Sequence, residues 1–547
     1  MAHVVTQPCC NDAGCVAVCP VNCIHPTPEE RTRGRTEMLY IDPEACIDCG
    51  ACLDECPVDA IVPPEDLTPE MQPFVDMNAA YYQDNPTPDP MPAVELPKVS
   101  AGAGVLRVAI VGSGPSACYL AEALTSHRGL DVEISMIERL PVPGGLVRYG
   151  VAPDHSSTKS IAGPFTRMMG RRNIDVYLDV EVGRHLTHED LLRHHHAVVY
   201  ANGATGDRAL GVPGEDLAGS MSAREFVAWY NGHPDYADLR VDLSCERAVV
   251  VGNGNVALDV ARVLTSEVSR LLKTDIAAHA LETLAASRIR EVVVLGRRGA
   301  GAAAFSTPEL LGLGDLPGVD VTASDIGTGS AEMSALERIR ADILTRYAAT
   351  EPAPGRRRIH LQFLRSPVEV LGNGRVESLR TAVNTLEGAT GEFENIETGL
   401  VLRSIGFRGM RQSGVPFDED RGVIPNAAGA AIDPESGDRV PGVYTAGWLK
   451  RGPSGVIGSN KVCSAETAAA IVGDFVNGLH TPPVGDRKAF AELVCARHPD
   501  YIDLQGWRRI DAFERGEGRS AGRPRVKVVS VGDMVSVARG EPATLGR

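Results

Sequence analysis

Four cysteines in the stretch "CIDCGACLDECP", Cys46, Cys49, Cys52 and Cys56, stand at the spacing C-x2-C-x2-C-x3-C and are followed by Pro57. Three thiolates on one tight loop can grip a single iron–sulfur cubane, while the fourth reaches over to a second cluster and glycine lets the backbone approach the sulfides. Zinc ligands are spaced differently. A partner run is therefore required, and "CCNDAGCVAVCPVNC" supplies it, because Cys15 and Cys19 repeat the x3-C-P ending. The spacing assigns Cys19 to the cluster of Cys46, Cys49 and Cys52, and Cys56 to the cluster of Cys9 and Cys15. In the first run the middle ligand position holds Asp12 where a cysteine is expected. Either its carboxylate binds a fourth iron, giving an Asp-ligated [4Fe-4S] cluster, or that corner is empty and the cluster is [3Fe-4S]. Cys10 is an alternative to Cys9 as ligand, and Cys23 reads as a packed thiol near the cluster.

A second kind of chemistry is written in glycine. "LRVAIVGSGPSACYLAEAL" is a short apolar strand, a turn and a helix, with Gly112, Gly114 and Ala117 as G-x-G-x-x-A. Gly112 makes the turn, Gly114 admits a pyrophosphate and Ala117 allows close helix packing. The next strand, "VEISMIE", ends in Glu138, at the distance expected for a carboxylate that bonds a ribose 2′-hydroxyl and repels a 2′-phosphate. This site is expected to take FAD or NAD. The pattern returns at "RAVVVGNGNVALDVARVL" with Gly252, Gly254 and Ala257, but the following strand runs into Arg297 and Arg298. Paired guanidiniums suit a dianionic 2′-phosphate by charge and by bidentate hydrogen bonding, so this site is expected to prefer NADP(H). Two nicotinamide sites would be redundant, which makes FAD the economical reading of the first and hydride transfer from NADPH to flavin the reaction.

The elements that must position these residues are strands alternating with helices, the pattern of an α/β chain with two doubly wound Rossmann-like domains, preceded by a small α+β iron–sulfur domain. The expected layout is an iron–sulfur domain at 1–85, a Pro-rich linker at 86–104, an FAD domain in two pieces at 105–212 and 400–547, and an NADP domain at 213–399 inserted between them. "GLVLRSIGF" and "GVYTAGW" are expected to resume the flavin sheet. The run His194 to His196 reads as a surface turn, not a metal site.

The head resembles the seven-iron and two-cluster bacterial ferredoxins over roughly residues 1–85. The body resembles the adrenodoxin-reductase family of ferredoxin–NADP reductases over roughly residues 105–535, in the words "VGSGPSA", "GLVRYGVAPDH", "VGNGNVALDVAR", "GRRG", "AGWLKRGPSGVIGSNK" and "GRPRVK". Together they resemble a bacterial ferredoxin/ferredoxin–NADP reductase fusion. That resemblance implies FAD contacts at Gly114, Glu138, Leu146, Val182, Trp448, Gly455, Val456 and Ile457, and NADP contacts at Asn253, Gly254, Asn255, Val256, Arg297, Arg298, Glu309 and Gly455. Trp448 offers an indole near the flavin, and a helix from about Ser454 would aim its positive end at the flavin N1/O2 edge. His155, in "APDH", is the candidate relay or hydrogen-bond partner, and with Trp448 completes the candidate catalytic set. Gly144 stands where relatives carry an aromatic residue, and Ser156 where they usually carry proline.

Composition bounds these readings. The chain has 547 residues, a mass of 58.1 kDa and a net charge of −17, with 43% hydrophobic and 23% charged residues. That is an ordinary soluble composition with material for two to four domains. Neither a long apolar span nor a secretory leader is evident, so a cytoplasmic protein is expected. Nine of the thirteen cysteines fall in the first 56 residues, where a cytosolic setting favours metal ligands over disulfides. The first 100 residues hold 17 acidic against 4 basic side chains. This acidity argues against nucleic acid and for docking on a basic protein face, with a merely solubilising role as the alternative. The expected partners are NADPH and a ferredoxin-type one-electron acceptor, with a cytochrome P450 further on. A relative of the glutamate-synthase small subunit, or a redox sensor without turnover, are the alternatives.

Overall fold

The computed structural model describes residues 2–27, 30, 37–87, 96–100, 102–327 and 333–541. Of the expected Pro-rich linker, residues 88–95 and 101 lie outside this set.

The head is built on two antiparallel pairs, Val4–Val5 with Ile61–Val62 and Ile24–His25 with Tyr40–Ile41. Strands of two residues do not hold together alone, and the helix Gln72–Asp84 ties them. The Asn78 side chain accepts from the backbone N–H groups of Val5 (3.3 Å) and Ile41 (2.8 Å) and donates to the Val5 carbonyl (2.9 Å). The Tyr82 hydroxyl accepts from the His25 N–H at 3.1 Å and faces the carbonyls of Cys23 and Tyr40. Val4, Tyr40, Phe74 and Met77 belong to one apolar core with Phe226, Leu310 and Leu344 of the second nucleotide unit, so the head is packed onto the body.

The first nucleotide unit has five parallel strands in the spatial order Arg439–Thr445, Ala197–Tyr200, Val105–Val111, Asp131–Glu138 and Ile174–Leu178. Two short antiparallel strands, Ala430–Ile432 and Asn426–Ala427, extend one edge. The second unit is a six-stranded sheet of parallel pairs: Ser220–Ser222, Leu400–Arg403, Arg247–Val251, Glu291–Leu295, Arg357–Gln362 and Val319–Ser324. Helices cover one face and the antiparallel strands that carry Val370, Leu379 and Ile396 cover the other, which explains why "RAVVV" and "EVVVL" carry apolar residues without alternation.

Three expectations are corrected. "GLVLRSIGF" does not resume the flavin sheet, because Leu400–Arg403 pairs in parallel with Arg247–Val251. An apolar run of four carries no mark of which sheet will bury it, and of the two expected segments only "GVYTAGW", through Arg439–Thr445, joins the first sheet. The insert is also not wholly parallel, since Arg365–Leu371, Ser378–Asn384 and Ala389–Glu397 form an antiparallel sheet. Finally, His195 is buried, with its ring nitrogens against the Ser135 hydroxyl and the Leu191 carbonyl, both at 2.9 Å. It is a core residue and not part of a surface turn.

Buried charges fix the two units against each other. Lys159 and Lys527 of the first share Asp275 of the second at 2.6 and 3.0 Å, and both ammonium groups reach Asn231 Oδ1. Arg262 of the second holds Asp154 of the first by two bonds of 2.6 and 3.2 Å. Removing one partner of such a pair strands a buried charge at a cost of about 3–5 kcal/mol, so these contacts specify one relative orientation. Among the described residues, no helix is long and apolar enough to cross a membrane.

Candidate functional site

The first glycine turn sits at the carboxyl ends of its parallel strands, the place where open α/β sheets take ligands. Gly112 has φ 111°, and a Cβ there would lie 2.7 Å from the Ala201 carbonyl oxygen. Gly447, φ 72°, is still more constrained, since a Cβ would fall 1.9 Å from the Ser116 hydroxyl. Between them the helix Pro115–Thr125 presents its first turn, with Gly114 and Gly145 facing each other without side chains. The result is a trough walled by backbone. Glu138 closes one end, accepting from Ser113 N (3.1 Å), Ser113 Oγ (2.7 Å) and Leu140 N (3.0 Å). A carboxylate has about four acceptor positions, so capacity for a ribose hydroxyl remains. Asn202 Oδ1 and Arg451 Nη1 are buried without a hydrogen-bond partner. Orphaned polar atoms of this kind beside a backbone trough fit a polar ligand.

Trp448 is half-buried, stacked on Phe407 at 5.4 Å, and its indole N–H donates to the Ser454 carbonyl at 3.2 Å. The helix expected from Ser454 begins at Ser459, because Gly455 turns the chain at φ 81°. Residues Gly455, Val456 and Ile457 form the approach to it, fastened by Asn460, whose amide donates to the carbonyls of Val456 and Ile457. Leu146 is exposed and Val182 half-buried, so neither is committed to the core.

The second turn repeats the first. Gly252 has φ 112°, and a Cβ would lie 2.1 Å from the Ser404 carbonyl oxygen. Asn253 and Asn255 bind the loop Ala304–Ser306: the Asn253 carbonyl accepts from Phe305 N at 2.8 Å and Asn255 Oδ1 from Ser306 N at 2.8 Å. Val256 is half-buried on the first turn of the helix Asn255–Thr265. Arg297 and Arg298 follow the strand Glu291–Leu295, both exposed, and neither pairs with a carboxylate among the described residues. Two guanidiniums so placed fit an anionic group arriving from solvent.

In the head, Cys19, Cys46, Cys49 and Cys52 line one cavity, together with Cys23 and His3. Cys23 Sγ lies 3.4 Å from Cys19 Sγ. Cys9, Cys15 and Cys56 gather in the same small core. Burial first, then Cys9, Asp12 and Cys56, push the Cys15 thiol up. Asp12 is half-buried beside them, accepting from Gly14 N at 3.3 Å, with the Lys461 ammonium at 3.9 Å. Cys10 instead packs into the core of the first nucleotide unit with Ala117 and Tyr119, and burial raises its thiol.

The head meets the body at the approach to Ser459. Gly458 N donates to the Cys10 carbonyl at 2.7 Å, and a Cβ on Gly458 would lie 2.0 Å from the carbonyl of Asn11. Ser160 Oγ donates to the Pro57 carbonyl at 2.7 Å. Glu37 accepts from Thr307 N at 2.8 Å and pairs with Arg340. The Cys9 and Cys15 side of the head therefore faces the first nucleotide trough.

His155 lies where all three parts meet. Arg262 Nη2 is 2.7 Å from His155 Nε2 and also holds Asp259 Oδ1 at 2.6 Å, while Arg262 Nη1 is 3.4 Å from Glu309 Oε2. The His155, Asp259 and Glu309 donor atoms lie within 4.8 Å of one another, but the Arg262 guanidinium already supplies the cation there. Burial pushes the Asp259 carboxyl up. At Asp154 burial acts the same way but is outweighed by Arg262, which holds that carboxyl below its ordinary range. Asp154, Asp259 and Arg262 stand inside "APDH" and "VALDVAR", yet their pairing is a tertiary event that neither word announces.

A chain with two such nucleotide troughs and a cysteine head has the build of a flavin- and pyridine-nucleotide-linked oxidoreductase, and comparison with known proteins agrees. Residues 9–60 match the 4Fe-4S dicluster domain family and residues 103–298 the pyridine nucleotide-disulphide oxidoreductase family. The chain is 47% identical to the probable ferredoxin/ferredoxin–NADP reductase of Mycobacterium leprae, over 99% of both chains. It is 42% identical to the NADPH-ferredoxin reductase FprA of Mycobacterium tuberculosis, over 79% of this chain and 99% of that one. The structure of M. tuberculosis FprA in complex with NADPH superposes with a TM-score of 0.76 at 41% identity, covering 80% of this chain and 100% of FprA. The chain belongs to the ferredoxin/ferredoxin–NADP reductase family. That membership favours the reductase reading over the glutamate-synthase-like and sensor alternatives.

Proposed function

We propose that this chain is an NADPH-dependent reductase that delivers electrons through FAD and its own iron–sulfur head to ferredoxin-type one-electron acceptors. A bound flavin would supply the exchange between a two-electron nicotinamide donor and one-electron iron–sulfur acceptors. The residues divide the work. Gly112, Gly114, Ala117, Glu138, Leu146, Val182, Trp448, Gly455, Val456 and Ile457 hold FAD. Gly252, Asn253, Gly254, Asn255, Val256, Arg297, Arg298 and Glu309 hold NADP(H), with Gly455 between the two. Glu138 disfavours a 2′-phosphate in one trough and the two guanidiniums favour it in the other.

The observation that carries this reading is the seating of Cys10, Asn11 and Asp12 on Gly458, beside the expected flavin edge. It supports an order of transfer from flavin to the cluster of Cys9, Cys15 and Cys56, and then to the cluster of Cys19, Cys46, Cys49 and Cys52, which has exposed Cys49 at its rim. Cys9 is the proposed ligand over Cys10, since Cys10 is turned into the flavin unit. Asp12 stands by the first cluster as a ligand of [4Fe-4S] or as the neighbour of an open corner in [3Fe-4S]. His155 acts as a hydrogen-bond partner at the nicotinamide. The acceptor is a protein with a basic face, such as a small ferredoxin or a cytochrome P450 system, and the setting is the cytoplasm.

Electron paramagnetic resonance of the purified chain under anaerobic NADPH tests this. Cys19→Ser is expected to remove one cluster signal and leave the other, whereas Cys23→Ser is expected to retain both. Loss of a signal with Cys23→Ser and not with Cys19→Ser would reverse the ligand assignment, and a chain whose flavin is not bleached by NADPH would refute the function.

A further inference from the structure

Head-less relatives such as FprA span 79% of this chain, so whatever the head adds to the nicotinamide site is peculiar to the fused protein. The segment leading into the first cysteines reaches that site. Gln7 Nε2 donates to Glu309 Oε1 at 2.8 Å and lies 3.4 Å from His155 Nε2. The Glu309 carboxylate can only accept, which fixes the amide with its NH2 toward it. The two hydrogens of that NH2 then suit the two neighbours, one to the carboxylate and one toward the imidazole.

The consequence for His155 follows from donor counting. Its Nε2 faces Gln7 Nε2 on one side and Arg262 Nη2, 2.7 Å away, on the other. Both are donors without acceptor capacity, so Nε2 presents its lone pair and the ring proton sits on Nδ1. Glu309 is held in a similar way between Gln7 from the head and Arg262 from the helix Asn255–Thr265. Among the described residues, Gln7 is therefore the one donor from the head in a cluster whose other members come from the two nucleotide units.

We infer that the iron–sulfur head completes the nicotinamide site, with Gln7 as a positioning residue that orients Glu309 and His155 and couples nucleotide binding to docking of the head. The inference rests on the function proposed above, in which His155 and Glu309 serve the nicotinamide. Coupling is reciprocal: if the docked head favours the nucleotide-competent arrangement, bound nucleotide must favour the docked head to the same degree.

The test uses the full-length holoprotein and Gln7→Met, which keeps the side-chain volume and removes both N–H donors. Asp84→Ala serves as the comparison, because Asp84 accepts from Ala335 N at 2.5 Å and ties the head to the body away from His155. Stopped-flow bleaching of the flavin at saturating NADPH is expected to slow about tenfold in Gln7→Met, the order lost with a hydrogen bond to a charged group, and to stay at the wild-type rate in Asp84→Ala. Hydrogen exchange gives a readout independent of turnover. NADP+ is expected to protect the amides of residues 4–12 in the wild type and in Asp84→Ala, and not in Gln7→Met. Equal bleaching and equal NADP+ protection in wild type and Gln7→Met would overturn the inference, as would equal slowing in Asp84→Ala. A wild type that NADPH does not bleach would instead overturn the function on which it stands.

Discussion

Replacing Gly458 with alanine is expected to weaken delivery of electrons from flavin to the head by a factor of roughly 5 to 150, over and above the slowing of flavin reduction that follows when Gln7 leaves Glu309 with the displaced head. Gly458 has φ −71° and ψ −24°, a conformation any residue adopts, so alanine brings no backbone strain of its own. What it brings is a methyl group at 2.0 Å from the Asn11 carbonyl and 2.1 Å from Asp12 N. Those atoms are backbone and cannot swing aside, so the head must move off its seat. Overpacking of this kind costs about 1–3 kcal/mol, and here it falls on the contact that carries Cys9, Asp12 and Cys15. Two-wavelength stopped flow separates the steps. Cluster bleaching that lags behind flavin bleaching by more than in the wild type is the expected result, whereas an unchanged lag would mean that this seat is not the transfer position.

The choice of nucleotide gives the second large effect. Arg297 and Arg298 are exposed and without acidic partners among the described residues, so their charge is available to a 2′-phosphate. Hydrogen bonds to charged groups contribute about 1.5–3 kcal/mol each, so each Arg→Ala change should lower kcat/KM for NADPH by about ten- to a hundredfold. NADH lacks the phosphate and should be used at nearly its former rate. The ratio of kcat/KM for the two nucleotides in Arg297→Ala, Arg298→Ala and the double variant measures this directly. A parallel fall for both nucleotides would place these side chains in the fold and not in recognition.

How much of this was legible in the sequence depends on how local the cause is. The glycine turns were readable because Gly112 and Gly252 answer to backbone geometry within a few residues, and the alternating strands announced two parallel sheets. The grouping of Cys19 with Cys46, Cys49 and Cys52 was readable as well, since the two runs demand each other. The sheet that Leu400–Arg403 joins was not, because a short apolar strand is equally at home in either. The start of the helix at Ser459 was missed for a local reason, the positive φ of Gly455. The junction was invisible for a different one. Gln7, Asp154, Arg262 and Glu309 are separated by up to 302 positions, and the meaning of each lies in the others. Cys10 is the intermediate case: the sequence offered it as a replacement for Cys9, and its packing against Ala117 and Tyr119 could not be read from spacing.

In the proposed function, NADPH electrons pass within one molecule from its flavin into its own head. Anaerobic mixing with NADPH at a series of protein concentrations measures this, with flavin and cluster absorbance followed together. Cluster bleaching that trails flavin bleaching with a rate constant independent of protein concentration is the predicted result. A rate constant that rises in proportion to concentration, or clusters that stay oxidised after the flavin has bleached, would contradict it.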